Sequence, residues 1–309
     1  MLRPAPRFDL PTHPDDPRVG RLLGKDCTAA DARVVLIGFP TDEGVKRNGG
    51  RPGAADGPDA IRQAFARLTP DPRRHYSFVE LLRWTCDLGN LEVSDDLEAD
   101  QQRLGEVLAP HLERGATVIV LGGGHETAYG HFLGYVQASR PITILNWDAH
   151  ADVRPTDAGR GHSGSPFRQA LEHPSRLCKS YGVAGLQPSS LAKEHLEYLQ
   201  QRGGRILFHD DVAPYAVDEL YQNLSSDTLV SFDLDALDSA AAPGVSAPAV
   251  AGLNVHLWLH AAVSAGRCPH VQSLDIVELN PRIDVDGRTA RLAARTLWEF
   301  LRGLLDRAR

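Results

Sequence analysis

Three short stretches of this sequence place carboxylates and imidazoles at intervals suited to holding cations. Asp148, His150 and Asp152 lie within Asn146-Trp147-Asp148-Ala149-His150-Ala151-Asp152, and Asp233 and Asp235 within Ser231-Phe232-Asp233-Leu234-Asp235. In extended chain, alternate side chains project to one side, so each group converges while Ala149, Ala151 and Leu234 turn away. His125 closes Leu121-Gly122-Gly123-Gly124-His125, where the glycines let the backbone turn sharply before a helix begins. Four carboxylates drawn together repel, and must be protonated or matched by cations. Two divalent ions offset four negative charges, and the two histidines complete their shells. A donor set of carboxylate and imidazole without thiolate suits manganese. Two such ions about 3.5–4 Å apart activate a water between them and polarise a substrate, so the chemistry expected is hydrolysis.

Taken singly, each motif is weak. D-x-D is common on surfaces, and G-G-G commonly marks a turn and does not fit the phosphate loop G-x-x-x-x-G-K-[ST]. A histidine at a helix start is commonly a cap or a core residue. Their coincidence at the ends of successive apolar runs is the specific signal. His256 and His260 are spaced for one helix face, but no third ligand or H-E-x-x-H accompanies them, so a helix surface is expected.

The elements that must position these residues are short apolar runs alternating with helical patterns. The runs are VVLIGF from Val34, TVIVLG from Thr117, ITILNW from Ile142, RILF from Arg205, TLVSFDLD from Thr228 and VQSLDIVEL from Val271. Helical spacing starts at Asp59, Leu104, Ala192 and Asn254, and the chain closes on the amphipathic RTARLAARTLWEFLRGLLDR. Strands apolar on both faces and alternating with helices imply an α/β fold with a mostly parallel sheet covered on both sides. Ligands in such sheets bind beyond the carboxyl ends of the strands, where these motifs fall. Residues 1–30, rich in proline and charge, are expected as an N-terminal arm, and 31–309 as a single catalytic domain. The segment from Pro40 to Gly57 carries too many glycines and charges for regular structure and is expected as a functional loop.

With 309 residues, 42% of them hydrophobic, the chain can bury a substantial core. Its net charge of -7 and lack of a basic stripe argue against a nucleic-acid partner. The four cysteines are scattered without a C-x-x-C pair, and are read as reduced thiols. The N-terminus lacks an apolar signal region, and no apolar run reaches the roughly 18 residues of a membrane helix, so the cytoplasm is the expected location.

G-G-G-H-E, D-A-H-A-D and S-F-D-L-D-A-L-D resemble the three metal motifs of the ureohydrolases, the arginase and agmatinase superfamily, and the resemblance runs from about Val34 to the C-terminal helix. It implies an arginase-like three-layer α/β/α fold, a homo-oligomer (trimer or hexamer) and two Mn2+ ions per subunit. By that resemblance one ion takes His125, Asp148, Asp152 and Asp233, and the other Asp148, His150, Asp233 and Asp235, with Asp148 and Asp233 bridging. Asp152 would also orient the bridging hydroxide. Glu278, in DIVELNP, matches the carboxylate that binds the amidine or guanidine nitrogens of the substrate.

Within the family, GVKRNGGRPGAADGPDAIR, GGGHETAYGH, SGSPFRQAL, APGVSAPAVAGL and ELNPRIDVDGRTARLAA are similar to the formimidoylglutamase branch. The implied reaction is hydrolysis of N-formimino-L-glutamate to L-glutamate and formamide, in histidine degradation. A small-molecule substrate with two carboxylates favours cationic partners, arginine above all. Arg154, just past D-A-H-A-D, matches a family substrate-recognition position; Lys46, Arg47 and Arg51 lie in the Pro40–Gly57 loop, and Arg168 follows SGSPF. Ser163 stands where arginase and agmatinase place a histidine before the glycine corresponding to Gly164, and is counted with the substrate-binding positions. The usual histidine proton shuttle is therefore absent, and His162 beside it is displaced by one residue. The alternatives are another ureohydrolase (agmatinase, guanidinobutyrase or arginase), a non-catalytic metal-binding paralogue, or a two-metal phosphoesterase.

Overall fold

The computed structural model describes residues 1–11, 13 and 15–307. Thr12, Pro14, Ala308 and Arg309, which belong to the expected arm and domain, lie outside the described residues. The elements in chain order are β1 (Leu2–Arg3), β2 (Val34–Phe39), α1 (Glu43–Arg47), α2 (Gly57–Ala66), α3 (His75–Arg83), β3 (Thr85–Leu91), α4 (Leu97–Glu113), β4 (Thr117–Gly122), α5 (Thr127–Gln137), β5 (Ile142–Trp147), α6 (Pro166–Glu172), β6 (Cys178–Leu186), α7 (Lys193–Gln201), β7 (Arg205–Phe208), α8 (Pro214–Gln222), β8 (Thr228–Asp233), α9 (Val255–Arg267), β9 (Val271–Val277) and α10 (Arg288–Leu304).

Nine strands form one sheet in the order β1-β3-β2-β4-β9-β8-β5-β6-β7. Every pairing is parallel except β1 on β3, where Leu2 faces Leu91. The central strands are apolar at successive positions because helices cover both faces. On one face Val34, Leu36, Ile119, Leu121, Trp147 and Phe232 pack against α2, α3, α8, α9 and α10. On the other Ile37, Phe39, Val118, Val120 and Ile144 pack against α4, α5, α6 and α7. The result is a three-layer α/β/α architecture. Local signals agree with it: Asp96 caps α4 by accepting from Ala99 N at 2.9 Å, and Asn254 caps α9 by accepting from Leu257 N at 3.0 Å.

Three strands lie outside the six apolar runs. β1 belongs to the expected arm, whose first residues join the sheet edge. β3 reads TCDLGNL and β6 reads CKSYGVAGL, and polar residues and glycines interrupt the apolar pattern of both. The Pro40–Gly57 segment is not wholly irregular: it holds α1 and a 3-10 turn over Ala54–Asp56. No helix among the described residues is long and apolar enough to cross a membrane.

Strands β4, β9, β8 and β5 are neighbours at the middle of the sheet. Their carboxyl ends carry the cation-holding motifs. The ladders fix their register: Trp147 pairs with Phe232, and Phe232 with Ile276.

Candidate metal centre

Each strand end supplies its donors through a sharp departure from extended chain. Asp233 is the last residue of β8, and Asp235 sits in the 3-10 turn that follows, Leu234–Ala236. Asp148 to Asp152 lie past the end of β5, with bends over Asp148 to His150 and irregular chain after them, not on extended strand, and Asp152 is left-handed at φ +46°. The expected strand alternation is therefore replaced by a folded loop that still turns Asp148, His150 and Asp152 inward. His125 follows β4, and α5 begins at Thr127 rather than at His125 itself. Glu278 directly follows β9 with φ +69°, a strained conformation for a residue with a side chain.

These residues converge. His125 Nδ1 lies 2.8 Å from Asp152 Oδ2, 2.9 Å from Asp233 Oδ2 and 3.4 Å from Asp148 Oδ2. It forms a hydrogen bond with none of them. His150 Nδ1 lies 3.3 Å from both Asp148 Oδ1 and Asp235 Oδ2. One set of donor atoms, from His125, Asp148, Asp152 and Asp233, falls within 4.8 Å of one another; a second set, from Asp148, His150 and Asp235, does the same. Asp148 belongs to both sets. Asp233, expected in both, meets this span only in the first.

Surrounding groups hold the donors in place. Asn146 Nδ2 donates to Asp148 Oδ2 at 2.9 Å, and the backbone N–H of His150 to Asp148 Oδ1 at 2.7 Å. Asp233 Oδ1 accepts from the backbone of Asp235 at 2.9 Å. His125 Nε2 lies 2.9 Å from Ser231 Oγ, which donates to Asp275, and Asp275 in turn faces His131 Nδ1 at 2.8 Å. Behind the donors, the rings of Trp147 and Phe232 stack with centroids 6.4 Å apart and planes 7° from parallel.

The charges of this cluster are unbalanced. Burial pushes Asp235 up to about 7, although His150 opposes the shift. Burial also raises Asp233 well above the ordinary carboxylate range, reinforced by Asp235 and Asp148. Glu278 moves the same way, through burial and then through Asp233 and Glu126. At His125 burial opposes the cation, but Asp233 and the other carboxylates outweigh it and raise the imidazole well above its usual value. His150 is raised chiefly by Asp235. Raised values of this kind are what carboxylates held together in burial show without cations to balance them. Asp235 Oδ1, Glu278 Oε2 and His125 Nδ1 are buried polar atoms without hydrogen-bond partners, a costly arrangement that inward-facing cations relieve. The donor set suits divalent ions of the manganese type.

A cavity of about 300 Å³ opens onto the cluster. Its walls include His125, His150, Asp152, Asp233, Asp235 and Glu278, together with Asn48, Arg154, Ser163, Ser246 and Ala247. Arg154 Nη1 donates to Asn48 Oδ1 at 2.9 Å, and Asn48 Nδ2 to Ser163 Oγ at 3.0 Å. Two of the expected arginines are placed elsewhere. Arg47 is drawn to Glu98 at 2.6 Å, Glu43 at 3.2 Å and the Gly161 carbonyl at 3.0 Å. Arg51 donates to the Val245 carbonyl at 2.6 Å and the Ser246 carbonyl at 3.0 Å. Neither is among the cavity walls, because neighbouring acceptors satisfy both guanidinium groups first. Lys46 pairs with Asp42 at 2.7 Å, and Arg168 with Glu172 at 3.2 Å. His162 is also held: its Nδ1 accepts from Gly164 N at 3.1 Å, so its Nε2 proton is directed at the Pro155 carbonyl, 3.1 Å away. On α9, His260 pairs with Asp218 at 2.9 Å.

Asn48, Asn146 and Ser231, which hold other residues of the site, were not among those expected from sequence, nor were Ser246 and Ala247 of the cavity wall. Asn146 and Ser231 each sit two residues before a bridging candidate, Asp148 and Asp233, on the same side of their strands, and that spacing was a usable signal. Asn48 ends α1 inside the segment expected to be irregular, and no periodicity marks it.

A profile of the arginase family matches residues 32–302. Among its relatives, a formimidoylglutamase of Lysinibacillus sphaericus is 38% identical over 301 residues, covering 93% of this chain and 90% of that protein. One of Rhodococcus jostii is 41% identical over 287 residues, covering 87% and 85%. Among solved structures, Trypanosoma cruzi formiminoglutamase with Mn2+ superposes with a TM-score of 0.87 at 33% identity, covering 95% of this chain and 100% of that one. The chain belongs to the arginase family, and within it resembles the formimidoylglutamases.

Proposed function

We infer that this chain catalyses the manganese-dependent hydrolysis of N-formimino-L-glutamate to L-glutamate and formamide, a step of histidine degradation. The observation that carries the reading is one cavity lined by two kinds of residue. One wall holds the carboxylate and imidazole donors with Glu278. The other carries Arg154, held toward Asn48 and Ser163. An amidine that bears carboxylates matches that pairing, and the named relatives support it.

We assign His125, Asp148, His150, Asp152, Asp233 and Asp235 to two Mn2+ ions per subunit. Bound there, such ions supply an activated water at neutral pH and offset charge that develops on the substrate. Glu278 accepts hydrogen bonds from the amidine nitrogens and sets the carbon in line for attack. The water oxygen joins the amidine carbon, the bond from that carbon to the glutamate nitrogen breaks, and that nitrogen takes up a proton. Asp152, at the rim of the cluster, moves that proton. Arg154, with Asn48 and Ser163, binds a substrate carboxylate. Arg47 and Arg51 are engaged by neighbouring acceptors and take no part in substrate binding. We further read residues 31–309 as one catalytic unit and the protein as a cytoplasmic homo-oligomer, a trimer or hexamer, on the family resemblance; light scattering tests the assembly.

The decisive experiment offers manganese-loaded protein N-formimino-L-glutamate, arginine, agmatine and 4-guanidinobutyrate. Glutamate and formamide from the first alone are expected. Urea from any of the others overturns the substrate assignment and leaves the metal site standing.

A further inference from the structure

Glu126 is fully buried, follows a metal-ligand candidate directly, and takes no part in the chemistry assigned above. Its Oε1 accepts the backbone N–H of Gly44 at 2.8 Å, while its Oε2 has no partner. Gly44 lies in the first turn of α1, a five-residue helix whose N-cap Asp42 makes no side-chain cap and whose own segment offers only Thr41 Oγ1, which accepts from Glu43 N at 3.3 Å. The first amides of a helix have no partner within it, and a carboxylate beside them satisfies the donor and suits the helix dipole. Glu126 therefore caps α1 from a different part of the chain. The fit is close: a Cβ at Gly44 would come within 2.5 Å of the Glu126 carboxyl carbon, and one at Gly124 within 2.2 Å of its Oε2. Glycine at both positions leaves the space that the carboxyl fills.

The other end of the Gly44 residue is held as firmly. Its carbonyl accepts from Ser163 N and from Asn48 N, both at 3.1 Å. Asn48 then spans Ser163 Oγ and Arg154 Nη1. A continuous path runs from the turn after β4, through Glu126, Gly44 and Asn48, to the cavity wall that carries Arg154.

We propose that Glu126 is a positioning residue that fixes the distance between the metal cluster and the substrate-reading wall formed by Asn48, Ser163 and Arg154. The proposal rests on the functional reading above, and its role is in substrate binding rather than in holding metal. Glu126→Gln keeps an acceptor for Gly44, whereas Glu126→Asp withdraws it and keeps the charge. On fully loaded protein, Glu126→Asp is expected to raise KM for N-formimino-L-glutamate about tenfold, the scale of one lost hydrogen bond. The kcat should stay within about threefold, the metal content by mass spectrometry should be unchanged, and Glu126→Gln should behave as wild type. Amide hydrogen exchange should quicken over Glu43–Asn48 in the Asp variant. Combined with Asn48→Ala, the two KM effects should be far from multiplicative, because both act through one path. An unchanged KM in Glu126→Asp, metal loss in either variant, or multiplicative effects in the double variant would each overturn the proposal. If the wild type ignores N-formimino-L-glutamate, the functional reading falls first and this inference falls with it; a wild type active on it with an indifferent Glu126→Asp sinks the inference alone.

Discussion

The two walls of the cavity are built by different means. The metal-facing wall stands on four adjacent strands, each delivering its donors within a few residues of a ladder whose register is fixed on both sides. The wall proposed to read the substrate stands on a short helix and a loop, tied together by Asn48, Ser163 and Arg154. On the first wall the donors are placed by backbone pairing and lie close to the core. On the second, each group depends on another polar group for its position. Strand ends give precision to chemistry that needs sub-ångström placement, while loops give room to change which molecule is read. Damage should therefore act differently on the two walls.

The largest effect is expected on the strand wall. Asp233→Asn removes a carboxylate from the centre of the donor set. It should lower both metal content and kcat/KM, the latter by about a thousandfold or more, in line with the weight of charge stabilisation in such sites. Retention of metal with near-normal turnover would show that Asp233 is not a ligand. Next comes Arg154→Ala, which should raise KM about 10- to 100-fold, the scale of a lost charge-assisted hydrogen bond. Its metal content should match wild type; a fall in metal binding would collapse the distinction between the walls.

The third test sets protons against cations. In the metal-free protein Asp233, Asp235 and Glu278 have raised values, Asp235 to about 7. His125 and His150 are raised above 6.5. All five hold more protons folded than unfolded, so their contribution to stability is present at low pH and is lost as pH rises toward and through their folded values. Asp148 has the opposite sign, but its contribution changes only in strongly acid solution. Metal-free protein should thus lose Tm between about pH 5 and 8, by roughly 2–4 °C per pH unit for each proton difference. Metal-loaded protein should lose far less, because cations replace those protons and bind more tightly as pH rises. Parallel melting curves with and without metal over that range would contradict this.

The smallest effect is expected at Arg47. It is nearly buried between Glu98, Glu43 and the Gly161 carbonyl. Arg47→Ala should leave KM within about threefold while lowering Tm by a few degrees, the reverse of the Arg154 pattern. A KM effect as large as that of Arg154→Ala would return Arg47 to direct substrate contact.

The same contrast explains what the residues alone disclosed. Apolar runs ending in Asp148, Asp233 and Glu278 betray both the strands and the donors at their ends, since burial on two faces forces an uninterrupted pattern. β3 and β6 escape that logic. Asp87 and Asn90 of β3 are turned to Arg62, whose guanidinium is buried against them. β6 opens on exposed Lys179 and Ser180. Polar partners supply there what apolar periodicity supplies elsewhere. The choice among arginines was illegible for a related reason. Whether a cation faces a cavity or a neighbouring carboxylate depends on tertiary placement, and Glu98, which engages Arg47, lies on α4, far along the chain. The turn of α1 is hidden too, because the shorter of its two first-turn contacts comes from Glu126, far along the chain, rather than from Thr41 of its own segment.

The stacked rings of Trp147 and Phe232 carry a lesson for reading other sequences. They face each other across paired strands, and each is followed at once by a carboxylate, Asp148 or Asp233. Backbone pairing sets the spacing of the two strands, and the rings, packed against Tyr221 and Trp258, anchor both strand ends to the helices beneath them. A homologue that replaced one ring with a small aliphatic group would keep every donor letter and leave a void under the strand end that carries it. Motif inspection would count that chain as intact. The two letters just before the acids belong in the signature as much as the acids themselves.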